Sequence, residues 1–166
     1  MGRPSFFCGS TILPMKVALG ADHAGFELKQ KVRAHLEDEG HQVNDLGTTS
    51  TESVDYPDFA RKVAHEVAGE RADYGVLVCG SGIGMSITAN KVAGIRAANV
   101  SDEQDARLCR EHNNANVLAI GARIIGEEKA MELVDIFLNT SFAGGRHERR
   151  VEKIAKIEKE ECQNRS

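Results

Sequence analysis

The four cysteines, Cys8, Cys79, Cys109 and Cys162, include no C-x-x-C pair and no Cys/His spacing of the zinc-site kind. A disulfide framework and a structural zinc are both poor readings. No stretch approaches the roughly 18 apolar residues of a membrane span. A general positive charge is missing too, since 21 Lys plus Arg stand against 25 Asp plus Glu, a net of −4 at pH 7. Neither nucleic acid nor an anionic membrane is therefore drawn to the chain as a whole, and any bound anion must be held by a local cluster. These absences place the protein in the cytoplasm with reduced thiols. In the first fifteen residues the apolar run is broken by Gly9, Ser10, Thr11 and Pro14, and no A-x-A site follows. Residues 1–14 read as a loose extension and 15–166 as one domain.

What remains is ordinary globular material: 166 residues, 41% hydrophobic and 28% charged, enough for one core. From Lys16 onward, short charge-poor runs alternate with helical periodicities. The runs are Val17 to Leu19, Gln42 to Leu46, Val76 to Cys79, Ile95 to Val100 and Val117 to Ile120, and they read as strands buried on both faces. Between them Leu28, Val32 and Leu36 recur at every fourth position, as do Phe59, Val63 and Val67, each giving a helix with one apolar stripe. Further helical patterns cover Ile83 to Val92, Ser101 to His112 and Glu127 to Leu138, with a terminal one through Val151, Ile154 and Ile157 that frays from Glu158. Strand then helix, five times over, predicts an α/β fold: a Rossmann-like three-layer α/β/α domain with a five-stranded parallel sheet and a C-terminal helix. Ligands in such sheets bind at the carboxyl ends of strands.

The first strand ends in Gly20-Ala21-Asp22-His23-Ala24-Gly25. Asp22 can be a simple helix cap, but His23 beside it favours a functional reading. The third strand runs into Cys79-Gly80-Ser81-Gly82-Ile83-Gly84-Met85-Ser86, whose glycines bare backbone N–H groups at a helix start and so make an anion cradle. The spacing fits neither a P-loop nor G-x-G-x-x-G, and position 85, where a C-x5-R phosphatase needs Arg, is Met. Cys79 can be a small buried residue; at a strand end facing a helix N-terminus it is also placed where a thiolate is favoured. Cys109, on a charged helix, reads as structural.

Glu111-His112-Asn113-Asn114 closes the fourth helix. His112 can serve the helix dipole, or, beside a cysteine on a neighbouring strand end, can be an acid/base group. Tyr56, in Asp55-Tyr56-Pro57-Asp58, either packs or walls a site. Gly144-Gly145-Arg146-His147-Glu148-Arg149-Arg150 puts Arg146 and Arg150 four residues apart on one helical face, a solvated basic patch or a fork for phosphate.

With these residues in view, the chain resembles the ribose-5-phosphate isomerase B family, which includes galactose-6-phosphate isomerase subunits, over roughly Met15 to Glu160. The matching motifs are G-A-D-H-A-G (20–25), D-Y-P-D (55–58), C-G-S-G-I-G-M-S with A-N-K (79–91), E-H-N (111–113) and G-G-R-H-E-R-R (144–150). The resemblance implies an aldose–ketose isomerase acting on ribose 5-phosphate and ribulose 5-phosphate, in the non-oxidative branch of the pentose phosphate pathway. It implies no metal or cofactor. It further implies a homodimer, or a tetramer, with active sites at the interface.

Residue by residue, the same resemblance makes Cys79 the base that moves a proton between C2 and C1 through an enediolate. His112 becomes the group that opens the sugar ring, with Asp22 nearby. Ser81 stands where the cysteine branch usually has threonine and keeps the hydroxyl. Asn113 and the amides of Gly80, Gly82, Ile83 and Gly84 would bind sugar oxygens beside Tyr56, and Arg146 and Arg150, supported by His23 or Arg123, the phosphate. One branch of the family lacks the cysteine and has glutamate where this chain has Met85, so the base here is at 79. Allose or galactose 6-phosphate are alternative substrates. A non-catalytic sugar-phosphate sensor would not need the Cys79 and His112 pair, and a thiol-redox protein would need a resolving cysteine.

Overall fold

A computed structural model describes residues 13–164; most of the expected extension at 1–14 lies outside them. The strands are β1 (Lys16–Ala21), β2 (Gln42–Asp45), β3 (Tyr74–Cys79), β4 (Ala97–Asn99) and β5 (Val117–Gly121), all parallel in the order β2-β1-β3-β5-β4. The helices are α1 (Phe26–Asp38), α2 (Tyr56–Ala68), α3 (Ile83–Ala89), α4 (Glu103–Glu111), α5 (Glu127–Asn139) and α6 (Arg146–Gln163).

Strand alternation sorts the core into two layers. Val17, Leu19, Val76, Val78, Leu118 and Ile120 face one way, onto the stripe Leu28, Val32 and Leu36 of α1 and onto α4 and α5. Ala18, Leu77, Cys79, Val117 and Ala119 face the other way, onto α2 and α3. This division follows from right-handed crossovers: the chain steps one way from β1 to β2 and from β4 to β5, and the other way from β2 to β3 and from β3 to β4. The helix after β3 therefore leaves to one face, while those after its neighbours β1 and β5 leave to the other. The carboxyl end of β3 opens between them.

Only β1, β3 and β5 are buried on both faces, apart from the first residue of β1 and of β3; β2 and β4 are half-exposed edges, contrary to the expectation for all five. β2, α3, β4 and α4 are also shorter than predicted, and Asn90 bears on α3 and β4. Its amide donates to Ala97 O at 2.9 Å and accepts Ala97 N–H at 2.8 Å. These bonds stop α3 at Ala89 rather than Val92 and delay β4 to Ala97, because Arg96 N–H is already taken by Asn116 Oδ1. The terminal helix holds through Gln163 despite its charge.

Candidate active site

At the carboxyl end of the sheet, Cys79 is the last residue of β3 and only 4% exposed. Its Sγ accepts Gly82 N–H at 3.1 Å. That bond depends on the chain curling back through Gly82, at φ +79, where a Cβ would also come within 2.3 Å of Asn99 Oδ1. Ser81 Oγ accepts Ile83 N–H at 3.3 Å. The Tyr56 ring lies over Gly84, where a Cβ would meet it at 2.6 Å, so Tyr56 walls the start of α3.

Asp22, buried, accepts Gly25 N–H on Oδ1 at 3.1 Å and so does hold the turn into α1. His23 Nδ1 accepts Val54 N–H at 3.2 Å. An acceptor Nδ1 puts the neutral ring's proton on Nε2. Arg123 N–H donates to Gly80 O at 3.0 Å, and its guanidinium lies alongside Gly80.

A second group forms at the opposite end. His112 caps the C-terminus of α4, its N–H on Leu108 O at 2.9 Å. The turn after it contains exposed Asn113 and half-buried Asn114, the latter at φ +47. Arg96 Nε holds Asn114 O at 2.9 Å, and Arg110 Nη1 holds Asn114 Oδ1 at 2.9 Å. Arg110 is 4% exposed and also donates to Thr140 O, Ala115 O and Tyr74 OH, with the Tyr74 and Phe137 rings over it at 4.8 and 5.6 Å. Neutral acceptors and π faces thus satisfy a desolvated cation. Ala143 N–H on Glu111 O at 3.0 Å brings in the segment that starts α6, with Arg146 and Arg150 exposed in its first two turns. Buried His147 lies ring to ring on His112, centroids 4.1 Å apart and planes 11° apart.

The two groups do not meet within one chain. Gly75 is level with Val117 and Cys79 with Gly121, so the Cys79 end stands ~13 Å up the strands from the edge where His112 lies. The expectation that His112 sits beside a neighbouring strand's carboxyl end is corrected: a crossover helix runs back down the sheet, and its C-terminus returns to the amino edge. His23 and Arg123 lie with Cys79, away from Arg146 and Arg150, for the same reason.

Burial pushes the Cys109 thiol up to about 11 against the opposing pull of Arg110, which fits a structural role. His147 is held below its ordinary value, first by burial, then by His112, Arg146 and Arg150. His147 and Arg110 escaped the sequence reading of the site. The G-G-R-H motif displays His147, but nothing in a linear spacing says that it meets His112. Among the described residues no group of three His, Cys, Asp or Glu is placed to hold a metal ion, and no helix is long and apolar enough to cross a membrane.

Residues 17–154 match the ribose/galactose isomerase family model. The chain is 51% identical over 143 residues, 86% of its length and 96% of the relative's, to ribose-5-phosphate isomerase B of Escherichia coli. It is similar to the structure of Clostridium thermocellum ribose-5-phosphate isomerase B, with a TM-score of 0.87 at 49% identity, covering 88% of this chain and 99% of that one. The Thermotoga maritima ribose 5-phosphate isomerase structure gives 0.84 at 54% identity, covering 86% and 98%.

Proposed function

The chain belongs to the ribose/galactose isomerase family and is an aldose–ketose isomerase; we propose that it interconverts ribose 5-phosphate and ribulose 5-phosphate in the cytoplasm, by proton transfer at Cys79, in the non-oxidative branch of the pentose phosphate pathway. The observation that carries the mechanism is the Cys79 Sγ to Gly82 N–H bond, which points the thiol's lone pairs into an amide-lined turn at the open end of β3.

Each step balances. An acid/base group delivers a proton to the ring oxygen and takes one from the C1 hydroxyl, giving the open aldehyde. The Cys79 thiolate then removes the C2 proton, the C1=C2 bond forms and O1 takes up a proton. Returning the proton from Cys79 to C1, with loss of the O2 proton, leaves the ketone at C2. The enediolate is held by the amides of residues 80–84 and the Ser81 hydroxyl, donors fixed before the charge develops. Asp22 and the Nε2–H of His23 orient sugar hydroxyls, and Tyr56 closes the side.

His112 is the ring-opening group, Asn113 a sugar contact, and Arg146 and Arg150 hold the phosphate. Because these lie at the other end of the sheet, they reach Cys79 from a second copy, making the working unit a homodimer with two shared sites. Exposed apolar side chains flank both groups, Ile83, Ile87 and Ile124 near Cys79 and Ile154 and Ile157 on α6, as surfaces that a second copy would cover. A coupled assay across ribose 5-phosphate, allose 6-phosphate and galactose 6-phosphate tests the substrate: kcat/KM should be greatest for ribose 5-phosphate, and a higher value for either hexose would overturn the assignment.

A further inference from the structure

We propose that His147 is a positioning residue for His112: by stacking on it, His147 fixes the plane and reach of that imidazole and ties it to the helix carrying Arg146 and Arg150. This rests on the ring-opening role given to His112 above.

The χ2 torsion of a histidine is broad when nothing confines it. His112 is half-buried at the end of α4, where a ring would otherwise sweep several orientations. A second flat ring 4.1 Å away and 11° from parallel leaves only motion within the plane. His147 is itself fixed, being buried in the first turn of α6 with its N–H on Gly144 O at 3.1 Å. The arrangement therefore makes one rigid unit from the group that meets the ring oxygen and the groups that meet the phosphate. A misplacement of about 1 Å at such a group can cost on the order of a hundredfold in rate.

Charge supports the same assignment. The groups facing the pair are Arg146 and Arg150 from α6 and Glu111 and His112 itself from α4. With two guanidinium groups so near, a second imidazolium would be repelled, and burial disfavours it further. Both effects favour the neutral form of His147. His147 touches no reacting atom in this account.

The test compares His147→Leu, which fills the space without a flat ring, with His147→Phe, which restores the ring without its nitrogens, and with His112→Ala. Two substrates are used: ribose 5-phosphate, and its 4-deoxy analogue, which lacks the ring-closing hydroxyl and is always open-chain. Leu should lower kcat/KM on ribose 5-phosphate roughly tenfold to a hundredfold and leave the analogue essentially unchanged, and Phe should recover most of the loss. Equal loss on both substrates, or no recovery by Phe, would overturn the proposal. If His112→Ala shows no split between the substrates, the ring-opening role falls, and NMR of the His112 ring protons decides His147 separately. Loss of their stacked-ring shift in Leu with retention in Phe supports positioning; unmoved resonances in Leu refute it.

Discussion

Cys79 closes the carboxyl end of β3 while His112 ends α4 at the amino edge of the same sheet, ~13 Å lower along the strands. On the proposed mechanism both groups serve one reaction, and this separation then requires two chains.

Cys79→Ala should fold and bind sugar phosphate but lose about 10²- to 10⁴-fold in kcat, as removal of a general base does. Iodoacetamide should inactivate the wild-type enzyme, with ribose 5-phosphate protecting. Cys109, its thiol pushed up to about 11, should stay unmodified below that range. Peptide mapping of the carboxamidomethyl groups reads both; inactivation that tracks Cys109 instead of Cys79 would contradict the assignment.

Arg146 and Arg150 should matter only to phosphorylated sugar. A hydrogen bond to a charged group contributes roughly 1.5 to 3 kcal/mol, so either Arg→Ala should weaken sugar-phosphate binding about 10- to 150-fold. Titration calorimetry with ribose 5-phosphate and with ribose separates the cases, and an equal loss for both ligands would remove the phosphate role.

Lys29, 2% exposed, meets Asp45 at 2.7 Å and couples α1 to the end of β2. Removing one partner of a buried pair costs about 3 to 5 kcal/mol. Lys29→Met should fall at the low end, because Arg33 stays 3.7 Å from Asp45, whereas Asp45→Ala strands the buried ammonium and should cost more. Urea unfolding gives the two values; a reversed order would show that Arg33 does not compensate.

His147 also predicts a pH dependence of stability. Its folded-state value lies below the ordinary 6.5, so the unfolded chain binds the proton more readily. The stability from keeping this ring neutral is present above about 6.5 and is lost as pH falls toward the folded-state value. Thermal melts of wild type and His147→Phe between neutral and mildly acid pH should show a steeper acid loss in the wild type. Parallel curves would remove the linkage.

Much of this was legible in the chain. Hydrophobic period located the eleven elements of the described residues, since buried strands and one-stripe helices leave direct marks such as Val76 to Cys79 and Leu28, Val32, Leu36. Boundaries set by side-chain to backbone bonds were not legible: Asn90 gives no linear sign that it will take both polar groups of Ala97. Lys29 sits next to the apolar stripe of α1, and no linear sign shows that Asp45 folds against it. For the site, the glycine loop and the arginine pair announced themselves by local chemistry. Their placement at opposite ends of the sheet, and the His112–His147 stack, depend on tertiary geometry that no spacing encodes.

The claim that the site is shared is tested most directly by a hybrid dimer. Cys79→Ala and His112→Ala chains, carrying different affinity tags, are co-expressed and isolated through both tags in turn. Neither parent homodimer should turn over ribose 5-phosphate at an appreciable rate. A hybrid whose sites take Cys79 from one chain and His112 from the other contains one intact site and one doubly altered site, so it should show about half of wild-type activity. A verified hybrid as inactive as its parents would contradict the account and require Cys79 and His112 to act from the same chain.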